Sequence, residues 1–303
     1  MASDKTVVVQ RIWQTFLAEG QGRHVVYFED VTTAIMQCNA QDHKKRSVKN
    51  PANFMKDLIR KDNASGNWPA SLCKIRIGGR QRVGSNRVFE FVPYSVGQTE
   101  PFPNRYFPTD EVVSTHLQSL SLPLASKALG RKDESWLIQV AVSLCILEQH
   151  FAQHSNLPVR EVVHLQTGVK LANSEIDGLF RAIIEVEGVR THVLVTCEAK
   201  QKGERILEHQ IVEQVVAAYK SVTASVLKDD LEVTQIVPVA LKAIGDQGEI
   251  YVVEFQPWSP EEAAAPEEQL KELKPASEAL YRLVPPVPGI GFKPQRKRTK
   301  KCD

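Results

Sequence analysis

Asp177, Glu198 and Lys200 are the residues of this 303-residue chain whose types and spacing could do chemistry together. Side chains repeat their direction every two residues along a β-strand, so Glu198 and Lys200 share one face if they lie on a strand. Two neighbouring carboxylates repel each other and resist burial until positive charge joins them. A divalent cation meets that need, and an all-oxygen donor set suits Mg²⁺, which keeps several waters available for reaction. A lysine beside such a pair can orient a water or offset charge on a phosphate.

The elements around these residues follow from pattern. Residues 176–186 are rich in Ile, Leu and Phe, and 192–197 in Val and Leu, with Glu187-Gly188 between them. That reads as a β-hairpin, which brings Asp177 at the start of one strand beside Glu198 at the end of the next. A long helix is expected over 133–153, with Trp136, Leu137, Val140, Leu144 and Leu147 on its apolar stripe. Glu134 lies in its first turn and Glu148 further along. Another helix is expected over 205–221, carrying His209, Gln210 and Gln214 near its start. Strands are expected at 159–166, 233–241 and 249–255, a short helix at 109–119 and a last helix at 267–283. Together these predict an α/β domain, a mixed sheet flanked by helices, over 110–290.

The motif Glu175-Ile176-Asp177 followed by Glu198-Ala199-Lys200 resembles that of the PD-(D/E)XK nuclease superfamily, with Ile176 where proline often stands. The resemblance spans about 133–255. It implies that Asp177, Glu198 and Lys200 are catalytic. It also implies that Mg²⁺ is held by Asp177, Glu198 and the Ala199 backbone carbonyl, and that Lys200 orients or activates a water. An acid on the preceding helix often joins such a site; Glu134 is the better candidate and Glu148 the other. Relatives often carry a glutamine on the following helix near the scissile phosphate, which points to Gln210 or Gln214. His209 is left without a role, because Lys200 already fills it.

Charge divides the chain. Residues 40–87 hold 12 Lys and Arg against 3 acids, whereas 88–292 hold 17 against 28. A basic unit joined to an acidic one suggests that the first meets a polyanion. Helices are expected over 6–18, from Glu29 or Asp30 to Cys38, and from Asn50-Pro51 to about Lys61. Strands at 72–77 and 88–92 would enclose an arginine-loaded glycine loop at 78–87. Three helices followed by a hairpin resemble an α+β winged helix-turn-helix, expected over 1–94. The resemblance implies DNA contacts from Lys44, Lys45, Arg46, Lys49, Asn50, Asn53, Lys56, Arg60, Arg80, Arg82 and Arg87, with Gln210 added from the second domain. Asn and Arg can read base edges, and the other basic residues meet phosphates. Four prolines in 93–108 mark a linker, taken as 95–109, and residues 291–303 form a basic tail.

The longest apolar run is too short for a bilayer, and the N-terminus lacks a secretory pattern, so a cytoplasmic protein without a membrane partner is expected. Five scattered cysteines, with no CxxC pair, suit a reducing compartment and argue against zinc. The leading expectation is a type II restriction-like, Mg²⁺-dependent DNA endonuclease that leaves 5′-phosphate and 3′-hydroxyl ends. It would be a homodimer on double-stranded DNA, with a cognate methyltransferase as a further partner. The alternatives are a structure-specific repair or junction nuclease, and a non-enzymatic winged-helix transcription regulator.

Overall fold

A computed structural model describes residues 3–20, 22–43, 45–60, 64–82, 86–171, 174–224, 233–266 and 270–291. The chain forms two compact units. One comprises 1–105 with 203–205, and the other 106–202 with 206–303. The division at 105/106 falls inside the expected 95–109 linker.

The first unit carries α1 (Asp4–Glu19), β1 (Val25–Tyr27), α2 (Phe28–Asp42), α3 (Pro51–Arg60), α4 (Ala70–Lys74), β2 (Ile77–Gln81) and β3 (Arg87–Pro93). Ser3 caps α1 by accepting from the Thr6 N–H at 3.1 Å. Of the apolar stripe expected from spacing, Val8, Val9, Ile12, Trp13 and Phe16 are buried, whereas Leu17 is exposed. The three strands form an antiparallel sheet in the order β1-β3-β2. Phe89 and Phe91 of β3 pack edge-on in a cluster with Trp13, Trp68 and Phe102. Two expectations fail here. Residues 72–77 are not a strand, because α4 follows Pro69 and β2 begins only at Ile77. Nor are Gly78 and Gly79 a loop. They lie in β2, and a Cβ at Gly79 would sit 2.0 Å from the Phe89 ring, so glycine there lets the aromatic core close.

The second unit is an α/β layer structure. In chain order it contains β4 (Ser114–Gln118), α5 (Leu124–Leu129), α6 (Glu134–Ser143), α7 (Ile146–Gln153), β5 (Val159–Leu171), β6 (Ser174–Val186), β7 (Val189–Lys200), α8 (Glu208–Ala224), β8 (Val233–Ile244), β9 (Glu249–Phe255), α9 (Pro260–Ala264) and β10 (Pro275–Val284). Seven strands form one mixed sheet in the order β4-β10-β9-β8-β7-β6-β5. The pairs β7/β8 and β10/β4 are parallel and the others antiparallel. Val195, Cys197, Val239 and Val252 join the core of α6 and α7 on one face. Leu194, Ile236, Ala240 and Tyr251 join that of α8 on the other. The expected mixed sheet flanked by helices is present. Among the described residues no helix is long and apolar enough to cross a membrane.

Three helix expectations need correction. Residues 114–118 are a strand, because β10 offers a parallel edge that local pattern cannot foresee. The single helix over 133–153 breaks into α6 and α7 where Cys145 turns left-handed at φ 52°. The expected 267–283 helix falls partly on 267–269, outside the described residues, and its remainder is largely β10. There Ala279, Tyr281 and Leu283 alternate inward at the strand period. The expected basic tail from 292 onward also lies outside the described residues.

Candidate active site

The hairpin β6–β7 turns at Glu187-Gly188, both with positive φ (51° and 79°), the two-residue geometry that matches strand twist. Its register pairs Gly178 with Cys197, so Asp177 and Glu198 sit one step beyond that rung on adjacent strands. Asp177 Oδ2 accepts the Ala199 N–H at 2.8 Å. Lys200 Nζ donates to Glu198 Oε1, and both side chains are only 3 % exposed. Asp177, Glu198 and Lys200 therefore converge at one end of the sheet.

A fourth group completes the arrangement. Gln214, buried on α8, donates from Nε2 to Glu198 Oε2 and to the Glu175 carbonyl at 3.0 Å. Both oxygens of Glu198 are thus engaged, and Gln214 Oε1 is buried with no hydrogen-bond partner. Of the two glutamines considered from sequence, Gln214 is the one that reaches the acids. Gln210 Oε1 is buried without a partner and takes no part in these bonds.

Burial pushes the Asp177 carboxyl up, and the nearby Glu198 charge pushes it further, to about 7. The Ala199 N–H and Lys200 pull the other way, and Glu134 adds a smaller upward push. Glu134 is thus close enough to be felt by Asp177. Glu148 lies on α7, where burial alone raises its carboxyl. Two acids at one spot, one of them holding a proton toward neutrality, repel each other even with the Lys200 ammonium beside them. Among the described residues no group of three or more His, Cys, Asp or Glu side chains is gathered to hold a metal. The donors present are two carboxylates with the Ala199 backbone between them.

A buried polar group on the other face escaped the sequence reading. Glu254 of β9 is 1 % exposed. Its Oε1 accepts from Ser155 Oγ at 2.8 Å and its Oε2 from Ser277 Oγ at 2.7 Å. His150 of α7, fully buried, meets Ser277 Oγ through Nε2 at 2.8 Å. Nothing short-range flags it, because its members come from α7, β9 and β10.

The basic residues of the first unit are more committed than their sequence suggests. Arg46 bonds Asp4 at 2.9 Å and Asp42 at 2.8 Å, and its side chain is 5 % exposed. It is part of that unit's packing rather than a surface cation. Arg80 and Arg82 both bond Glu90 Oε2, at 2.8 and 2.6 Å. Burial opposes it, yet these two guanidiniums hold the Glu90 carboxyl below its usual range. Lys45, Lys49 and Asn50 are exposed, and Arg87 is half-buried at the start of β3. Lys44 lies outside the described residues, as do the side chains of Asn53, Lys56 and Arg60 on α3. No protein-family model, curated protein or solved structure matches this chain.

Proposed function

We propose that the chain is a Mg²⁺-dependent DNA endonuclease of the PD-(D/E)XK kind, with its N-terminal unit a winged helix that reads the duplex. The observation that carries this reading is the cluster of Asp177, Glu198, Lys200 and Gln214 at the end of one hairpin. Crowded acids, an ammonium on one of them and an amide oxygen without a partner suit a centre built to receive both a cation and an anionic phosphodiester. The helix and sheet order of residues 4–93 supports the winged-helix reading, with α3 as recognition helix.

Asp177, Glu198 and the Ala199 carbonyl would hold Mg²⁺, which supplies Lewis-acid stabilisation of the phosphoryl oxygens. Lys200 orients the water that attacks phosphorus in line. The water oxygen bonds to phosphorus and gives up a proton to bulk water, the P–O3′ bond breaks, and the departing oxygen takes a proton from solvent. The products are a 5′-phosphate and a 3′-hydroxyl. Gln214 fixes the Glu198 rotamer and offers its amide oxygen to the attacking water. Cutting both strands calls for two such sites related by a two-fold axis, hence a homodimer on double-stranded DNA. The chain would act inside the cell beside a methyltransferase that protects host sites.

Purified protein incubated with plasmid DNA, with and without Mg²⁺, tests the reading. Discrete fragments that appear only with Mg²⁺ support it. Preferential cutting of branched DNA would instead indicate a repair nuclease. Binding that leaves DNA intact under all divalent conditions would indicate a regulator and sink the nuclease assignment.

A further inference from the structure

We propose that the outer edge of β4, with the leucine-rich segment that follows it, is the surface on which two copies of this chain pair about a two-fold axis. This names the contact for the homodimer that the nuclease reading calls for, and it rests on that reading only for what the dimer serves. β4 is the outermost strand of the seven-stranded sheet, and among the described residues it pairs with β10 alone, in parallel. The Leu280 N–H donates to the Val113 carbonyl and the Ser119 N–H to the Val284 carbonyl, both at 2.9 Å. The odd-numbered residues of this stretch therefore face β10. Alternation turns the N–H and C=O of Ser114, His116 and Gln118 outward, and all three residues are exposed. An open edge of this kind is a template for another strand.

A two-fold axis limits the register in which a strand can meet its own copy. The central residue opposes itself, and it must turn its N–H and C=O across the gap. His116 does so from the middle of β4. Pairing centred on it sets Ser114 of each copy opposite Gln118 of the other, and every outward N–H and C=O of the strand gains a partner. Centring on Thr115 or Leu117 would bring together groups already committed to β10. The flanks fit the same axis. The segment leaving β4 carries Leu120, Leu124 and Leu129, exposed by 75, 83 and 78 %, and α5 buries none of its residues. Antiparallel pairing carries Leu120 to the level of Val112 and Val113 of the second copy, and Val113 is also exposed. Charge is self-complementary as well. Asp110 and Glu111 precede β4, whereas Lys127, Arg131 and Lys132 follow it. With the strands antiparallel, the acidic approach of one copy lies beside the basic exit of the other.

Sedimentation equilibrium of the full chain over a range of protein concentrations, without DNA or metal, is the test. Wild type is expected to dimerise. His116→Pro removes an outward N–H that β10 does not use, and Leu124→Glu puts charge into the apolar flank. Each should weaken dimerisation by about tenfold or more, the scale of losing an interface anchor, with thermal unfolding at high dilution little changed. Val163→Glu on β5, at the other edge of the sheet, should associate as wild type does. His116→Cys should crosslink to its copy through a short bismaleimide, since directly opposed bonded residues lie about 5.5 Å apart at Cα. Wild type, with its exposed Cys145, sets the crosslinking background. If His116→Pro fails to fold, Leu124→Glu and the crosslink decide. A wild type that stays monomeric overturns the proposal, as does a dimer that His116→Pro and Leu124→Glu both keep at full strength. Loss of association in Val163→Glu alone would move the contact to β5 and overturn it too. Plasmid cleavage by a monomeric wild type would leave the nuclease reading standing. A dimer broken as expected that cuts no DNA would sink the nuclease reading and leave the interface.

Discussion

Two buried acids sit on opposite faces of one sheet, and their surroundings differ in kind. Glu254 has a hydroxyl on each oxygen, from Ser155 and Ser277, with His150 bonded to Ser277 behind it. Glu198 shares its space with Asp177, whose carboxyl is pushed up to about 7 by burial and by Glu198 itself. Both acids are nearly sealed from solvent. Burial alone therefore does not mark a reactive centre. What marks it is a leftover: an acid whose charge the fold does not fully settle. Glu254 closes its own network and serves the core, whereas Asp177 and Glu198 crowd each other at the end of one hairpin.

The largest expected effect would break this comparison if it failed. Glu198→Ala or Lys200→Ala should slow plasmid cleavage by about 10²-fold or more, the usual scale for losing a transition-state contact. Glu254→Gln should leave the cleavage rate within about threefold. DNA affinity, read by gel shift, should survive all three changes. Equal losses of cleavage from Glu254→Gln and Glu198→Ala would erase the distinction.

Stability should divide the two sites the other way. Glu254→Gln replaces two charge-assisted bonds from hydroxyls with neutral ones in a buried network and should cost about 1–3 kcal/mol in denaturant unfolding. Glu198→Gln in metal-free protein should cost less, because it relieves the repulsion with Asp177 while its amide oxygen can still accept from Lys200. A larger cost at Glu198 would mean that its pairing with Lys200 and Gln214 already outweighs the crowding.

How much of this contrast could be read beforehand depends on distance along the chain. Asp177, Glu198 and Lys200 belong to one hairpin, so period-two alternation and one turn suffice to bring them together. Gln214 follows on the next helix, and whether it or Gln210 reaches Glu198 depends on how α8 rotates over the sheet. The Glu254 group draws on α7, β9 and β10, and the 267–283 stretch that contains most of β10 resembled a helix because Glu, Ala and Leu make up more than half of it. Its Ala279, Tyr281 and Leu283 spacing fits a strand, but only pairing with β9 and β4 settles that choice. The same limit hid the ion pairs of Arg46 with Asp4 and of Arg80 and Arg82 with Glu90.

A smaller effect sharpens the comparison by ligand. If the crowded pair awaits a cation, Mg²⁺ at ten times its dissociation constant should stabilise the fold by about 1.4 kcal/mol. The shift should vanish in Asp177→Asn and persist in Glu254→Gln, with thermal unfolding as the readout. A Mg²⁺ shift retained in Asp177→Asn would move the cation elsewhere on the molecule.

The last effect is the pH dependence of the metal-free protein. The Asp177 carboxyl is raised from 3.8 to about 7 in the folded chain. Below about pH 4 folded and unfolded chains both hold that proton, and the contribution to stability is fully present. Between about 4 and 7 only the folded chain keeps it, so stability falls as pH rises, by at most about 1.4 kcal/mol per pH unit for a single proton. Above about 7 the contribution is lost. Asp177→Asn should flatten this fall, since Asn can still accept the Ala199 N–H without titrating. Unfolding free energies from pH 5 to 8 in the presence of a chelator would check it. A slope that survives Asp177→Asn would place the unsettled charge at some other group and remove the physical ground for treating the two acids differently.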